Sequence, residues 1–412
     1  MKKLKKFKKK LYQIKCILLS LLAICLSVFI KRDKKRVAFG AWLGELYIDN
    51  SKYLAEYAVN AYPNKKFYWV GMKEVKTSIN PKLKFVKKDS FFSMWILLRC
   101  KYFFFSQSHE ADICGFNVYR KATLCFLDHG NTVKKCGADD PQYLGDLDFN
   151  KFPWFRRLCC NIMGRSRKYE YICVSSPENT ETYVTGYRFR VDERTKFISS
   201  GLPRNEIFYQ NINITKTKEK YANLIGFDIE KKVILYLPTF RRKSEKVYSF
   251  TELNKEAASK LIEILNRHNA VLLEKNHYVA NQYNCNRTLS AEEGVIKVTV
   301  PVDLQELLLI SDVQISDYSG CFLDYLILDK PIIHFLYDYE EYKNYDSGLY
   351  YEAAEFAAGK VAETVDQVLQ DLDEILDGND NYKERRKLVK KRFLAYEHGN
   401  ASEIILEEVF SR

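Results

Sequence analysis

Short, nearly continuous apolar runs alternate with amphipathic stretches from Val37 to Phe335, and this alternation restricts the fold more than any other feature of the chain. The candidate strands are Val37–Gly40, Phe67–Gly71, Leu83–Val86, Tyr102–Ser106, Thr123–Leu127 and Tyr171–Val174. A second series comprises Val233–Leu237, Ala270–Glu274, Val295–Thr299, Val313–Ser316 and Ile332–Phe335. Between them lie helical patterns such as Ser51–Ala61, Glu252–Arg267 and Leu304–Ile310. Strands that are apolar on both faces and separated by helices belong to parallel sheets covered on each side.

The pattern resets at Asn211–Lys220 (NINITKTKEK), a polar stretch without apolar period. Two α/β units of comparable size are therefore expected, over residues 37–210 and 211–412, after an N-terminal segment of residues 1–36. Two Rossmann-like domains facing across a cleft form the GT-B arrangement of many nucleotide-dependent transferases. Ligands of such sheets sit beyond the carboxyl ends of the strands, so the chemistry belongs in the loops that follow them.

The net charge of +12 is localised. Residues 1–36 hold thirteen Lys/Arg and one Asp, and the remaining 52 basic and 52 acidic residues cancel. A nucleic-acid binder would carry basic charge in its folded body as well, so no nucleic-acid partner is expected. An anionic membrane surface is the expected partner. Cys16–Ile30 is uncharged between the flanks MKKLKKFKKK and KRDKKR. Its fifteen residues reach about 22 Å as a helix, short of the ~30 Å hydrocarbon core. No small-residue cleavage site follows, which disfavours a signal peptide. A spanning anchor with the heavier charge at its N-terminus would place the body outside the cell. A peripheral or monotopic anchor that keeps the body at the cytoplasmic face is the expectation. Eleven cysteines without a CxxC pair fit a reduced protein rather than a disulfide framework or zinc ribbon.

Several strand ends carry chemistry. Thr123–Leu127 runs into Asp128-His129-Gly130, with Lys134 and Lys135 soon after. A neutral imidazole there suits a general base for a hydroxyl nucleophile, and Gly130 permits close approach of a ligand. A plain loop histidine is the competing explanation. Val233–Leu237 runs into Pro238-Thr239-Phe240-Arg241-Arg242, whose guanidinium groups and hydroxyl suit phosphate. Lys275-Asn276-His277 follows Ala270–Glu274 and could flank a pyrophosphate, or form an ordinary polar loop. Val313–Ser316 leads to Asp317-Tyr318-Ser319-Gly320 and then an apolar helix, whose first turn offers free N–H groups to an anion. Simple capping by Asp317 or Ser319 explains the same residues. Gly201-Leu202-Pro203-Arg204-Asn205 closes the first half, with Arg204 placed to reach donor phosphates. No metal-ligand spacing, GxSxG, Walker loop or GxGxxG is present.

These segments together resemble a known family. HGxxxKKxG at His129–Gly137, GxPRN at Gly201–Asn205, LPTFRR at Leu237–Arg242 and SDYSGxxxDYLxLDKPII at Ser316–Ile333 are similar to the CDP-glycerol glycerophosphotransferases. Asp49-Asn50-Ser51-Lys52-Tyr53 looks like that family's early DN motif. The family makes teichoic acids and related capsule polymers. The resemblance implies a GT-B fold with the CDP-polyol donor held mainly by the second domain. An acceptor hydroxyl, on a lipid-linked glycan or a polyol-phosphate polymer, attacks the β-phosphorus and CMP leaves. His129 would be the general base, with His277 as a second catalytic histidine. Arg241, Lys275, His277, Ser319 and the N–H groups around Gly320 would hold the diphosphate, helped by Arg204, Thr239 and Asp317. Asn50, Gly130 and Lys134 fall to the acceptor side or the catalytic loop. No resident cofactor is expected, and a magnesium ion on the diphosphate is compatible with the site.

Four features depart from the family pattern: Asp128 in place of an aromatic residue, Asn131-Thr132-Val133 where a Pro follows the histidine, Gly320 in place of a second Ser, and Tyr278 in place of a Pro. The long polymerases' additional N-terminal domain is not in this sequence, which points toward a primase or compact polymerase. A GT-B glycosyltransferase using a nucleotide sugar and a non-catalytic scaffold for a lipid-linked glycan are the competing functions. Oligomeric state is not legible.

Overall fold

The computed structural model describes residues 2–141, 153–241, 247–276, 289–290 and 293–411. A first sheet contains β1 (Asp33–Gly40), β2 (Lys66–Gly71), β3 (Lys84–Lys87), β4 (Cys100–Phe105), β5 (Thr123–Phe126), β6 (Tyr171–Val174) and β7 (Lys196–Ser199), in the order β3-β2-β1-β4-β5-β6-β7. A second contains β8 (Lys232–Leu237), β9 (Ala270–Glu274), β10 (Val295–Lys297), β11 (Val313–Ser316), β12 (Ile332–Phe335) and β13 (Lys360–Ala362), in the order β10-β9-β8-β11-β12-β13. Every pairing described is parallel.

The expected pair of doubly wound units is thus observed, and all eleven expected strands are present. All four residues of β5, β6, β11 and β12 are buried, which is why these strands are apolar throughout. Two strands lacked a sequence signal. β7 and β13 are edge strands with polar, partly exposed residues, so no continuous apolar run marks them.

The N-terminal helix is longer than its apolar centre and runs unbroken from Lys2 to Phe29. Cys16, Ser20, Ala23 and Ser27 form one buried face, packed with the core of the first unit. The Ser20 hydroxyl accepts from the Asn117 N–H at 3.0 Å, fixing the helix against the body. Leu11, Leu18, Leu22 and Phe29 remain exposed. The basic segment after the helix is more structural than expected. Arg32 donates to the carbonyls of Leu97 and Cys100, both at 2.7 Å, and Asp33–Arg36 already belong to β1.

The end of the chain also departs from expectation, because residues 211–412 do not all stay with the second sheet. Helix Ala401–Phe410 returns to the first unit and buries Ala401, Ile405, Leu406 and Val409 beside Val37, Phe39 and Phe104. In each sheet the strand order reverses once, between β1 and β4 and between β8 and β11. The loops leaving β1, β5, β8, β9 and β11 therefore meet at the seam between the units, where open parallel sheets hold ligands.

Candidate active site

β5 ends at Phe126, and the chain turns through Leu127 and Asp128 to present His129. Asp128 sits at φ 56°, a left-handed conformation that Asp accepts more readily than most residues. Asn50 holds the turn in place, its side-chain amide donating to the carbonyls of Leu127 at 3.1 Å and Asp128 at 2.9 Å. The buried Asp128 carboxylate lies 2.7 Å from His129 Nδ1 and also accepts from the Tyr183 hydroxyl. With Nδ1 bonded to a carboxylate, Nε2 is the basic nitrogen. The ring is 46% exposed, accessible from the seam. Desolvation by the surrounding protein opposes its charge, but the carboxylates of Asp128 and Asp49 outweigh that and raise its pKa above the ordinary value. Trp42 sets its indole edge-on to the imidazole, with ring centroids 6.0 Å apart.

Arg204 does not reach toward a donor as expected. It is buried and bridges the two units, donating to Asp49 at 3.0 Å and Asp324 at 2.5 Å, and to the His129 carbonyl. A Cβ on Gly130 would fall 2.3 Å from its Nη2, so the glycine is needed for the arginine to pass. Asn205 and Gln305 complete the hydrogen bonding of Asp324 at 3.1 and 3.2 Å. Asn205 also donates to Glu397 at 2.9 Å, and Glu397 accepts from the Leu202 N–H at 3.0 Å. Burial pushes the Glu397 carboxyl up to about 8.

Arg241 is likewise internal. Its Nε and Nη2 donate to Asp338 at 2.6 and 3.0 Å, and Nη1 donates to Asp317 and the Thr239 carbonyl, both at 2.8 Å. It is packed among Tyr318, Tyr337 and Tyr342. Asp317 accepts from the Thr239 N–H at 2.9 Å and hydroxyl at 2.6 Å, and from the Ser319 N–H at 3.2 Å. Thr239, Arg241 and Asp317 thus lock the β8 and β11 exits together, and in this geometry four of the five arginine N–H groups are committed to protein acceptors.

The cations that face the seam are the lysines. Lys275, at the end of β9, is half-buried, and burial lowers its pKa. Among the described residues it forms no ion pair. The Cys321 thiol marks the meeting point, because Lys134 and Arg204 from the first unit and Lys275 from the second all interact with it electrostatically. Burial and the Asp324 carboxylate raise the pKa of that thiol, while Arg204 and Lys134 lower it. Ser319 donates to Cys321 Sγ at 3.2 Å. Helix Cys321–Tyr325 is only five residues long, and Gly320 before it faces the other unit across the seam. A Cβ there would stand 1.8 Å from the Asn131 carbonyl oxygen. A serine hydroxymethyl at position 320 would have no room in this closed seam. His277 and Arg242 lie outside the described residues.

Asp49, Asp128 and Asp324 are participants that the motifs contained without singling out. Glu397 had no sequence signal at all. Its partners lie 192 and 195 residues earlier in the chain.

The family model described as CDP-Glycerol:Poly(glycerophosphate) glycerophosphotransferase matches residues 22–411. The chain belongs to that family. It is 25% identical over 390 residues to a teichoic acid poly(glycerol phosphate) polymerase of Bacillus spizizenii, covering 92% of each chain. A teichoic acid glycerol-phosphate transferase of Staphylococcus aureus is 25% identical over 388 residues, covering 92% of this chain and 93% of the relative. Among solved structures, the wall teichoic acid polymerase TagF superposes with a TM-score of 0.75 at 23% identity, over 99% of this chain and 97% of that one, and so shares the fold. The chain is therefore a CDP-polyol phosphate transferase with a GT-B-like fold, and the glycosyltransferase and scaffold alternatives give way to it.

Proposed function

We propose that this transferase adds glycerol phosphate or ribitol phosphate to a lipid-linked or polymeric teichoic-acid acceptor at the cytoplasmic face of the membrane. The observation that carries the mechanism is the Asp128–His129 dyad, a carboxylate-supported imidazole accessible at the seam, with Lys134 and Lys275 meeting at Cys321 in the same seam. His129 Nε2 takes the proton of the acceptor hydroxyl as its oxygen attacks the β-phosphorus of the CDP-polyol. The bond between that phosphorus and the bridging oxygen breaks, and CMP departs with the oxygen. Lys134 and Lys275 neutralise charge on the diphosphate, since phosphoryl transfer depends on positioning and electrostatics more than on covalent help. A magnesium ion, where used, enters with that diphosphate.

The N-terminal helix supports the membrane assignment. One face is fixed along the body and the opposite face is apolar, which supports a helix lying along the membrane interface. Purified protein given CDP-glycerol or CDP-ribitol with membrane acceptor should release CMP and form a phosphorus-linked product. His129→Ala should lower turnover about 10²–10⁴-fold while donor affinity persists. Near-normal turnover in the variant would remove His129 from the mechanism.

A further inference from the structure

A lysine-rimmed cavity lies on the first unit, between the N-terminal helix and the loops that follow β2 and β3. Its volume is about 600 Å³, and Tyr12, Lys15, Lys73, Lys87, Lys88 and Asp89 are among the residues lining it. Four of these six are lysines. Among the described residues none of the four forms an ion pair. The single carboxylate is already occupied, because Asp89 accepts from the Tyr12 hydroxyl at 2.7 Å and the Gly115 N–H at 2.8 Å. Lys88 is partly buried, and its ammonium donates only to neutral carbonyls, those of Leu43 at 2.6 Å and Ala111. Asp89 in the lining and the buried Asp112, which interacts with Lys88, offset part of this charge, but the lysines outnumber the carboxylates and leave a net positive charge suited to an anion with several oxygens.

Its position identifies the kind of anion. On one side it opens beside Tyr12 and Lys15, whose helix exposes Leu11, Ile14 and Leu18. On the other side Lys88 touches the loop that follows β1, which packs against His129. Trp42 and Leu43 in that loop hold φ of 43° and 60°, rare for bulky side chains, and Trp42 meets the His129 ring. The buried Asp112 carboxylate maintains the loop by accepting from the Leu43 N–H at 2.9 Å.

We infer that this lysine-lined cavity binds the lipid-proximal diphosphate of the acceptor, whose hydrocarbon tail follows the exposed face of the N-terminal helix and whose glycan end passes Trp42 to reach His129. The acceptor's identity rests on the function proposed above, whereas the affinity of the cavity for a polyprenyl diphosphate does not.

The test is therefore direct binding of farnesyl diphosphate to the full chain, by calorimetry, compared with Lys73→Gln/Lys87→Gln and Lys88→Met. Wild type should bind, and each variant should bind about tenfold or more weakly, with CDP-glycerol affinity unchanged. Equal affinity in wild type and both variants overturns the assignment. Inorganic diphosphate binding as tightly as the farnesyl ester overturns it in favour of a free-anion site. Sedimentation with phosphatidylglycerol vesicles should be the same for all three proteins. A loss in the variants comparable to their loss of farnesyl diphosphate affinity would reduce the cavity to a general electrostatic membrane contact. In turnover assays with a lipid-linked acceptor, the variants should raise the acceptor KM about tenfold and leave the KM for a soluble glycan acceptor unchanged. An equal rise for both acceptors overturns the assignment. A wild type that binds farnesyl diphosphate through these lysines but releases no CMP would sink the proposed function and leave the site standing.

Discussion

Glu397 offers a way to measure how strongly the seam is held. Its carboxyl is buried against Leu202, Asn205 and Ser175, and burial lifts its pKa from 4.5 to about 8. Between those two values the folded state keeps a proton that the unfolded chain has released. Unfolding free energy therefore falls as pH rises through this window, and levels off above the folded pKa. The slope approaches ~1.4 kcal/mol per pH unit, giving a loss of about 3 kcal/mol by pH 7 and about 5 kcal/mol in full. Glu397→Gln keeps a carbonyl acceptor for Leu202 and Asn205 but cannot ionise. Wild type should match the variant near pH 5 and become progressively less stable than it up to about pH 8. Guanidinium unfolding at closely spaced pH values, followed by tryptophan fluorescence, measures the difference. Taking the difference cancels other pH-sensitive groups such as Glu206, whose pKa is raised to about 7. Parallel curves from pH 5 to 9 would refute the buried-carboxyl argument.

Three further outcomes are expected. Asp128→Asn removes the carboxylate that holds the His129 pKa up, so the acid limb of the kcat/KM profile should move to lower pH with a reduced plateau; an unmoved limb would show that Asp128 does not govern the base. Arg204→Ala leaves Asp49 and Asp324 buried without their shared cation, and denaturant unfolding should show a loss of about 3–5 kcal/mol. Gly320→Ala drives a methyl into the Asn131 carbonyl, so turnover should fall at least ~10-fold with an unchanged circular dichroism spectrum; wild-type turnover would mean that the seam yields without cost.

The legible and illegible parts of this protein divide along a physical line. Strands buried on both faces must be apolar, so the interior of each sheet was visible, whereas the edges β7 and β13 were not. The motif residues that the structure describes lie at the ends of β5, β8, β9 and β11. Their partners were not visible, and the partners decide what an arginine does. Arg204 and Arg241 have the chemistry of phosphate ligands, but each is surrounded by carboxylates from distant segments: Asp49 and Asp324 for one, Asp317 and Asp338 for the other. A guanidinium whose charge is already balanced, and most of whose donors are occupied, gains little from a phosphate. Lys275, which forms no ion pair among the described residues and is half-buried, gains more. In the proposed mechanism, neutralising the diphosphate therefore falls to the lysines, while Arg204 ties the two units together and Arg241 braces the β8 and β11 exits within the second unit. Gly320 fits the same division. Its missing side chain, which in sequence looks like a lost hydroxyl donor, is what allows the Asn131 backbone to close on the β11 exit.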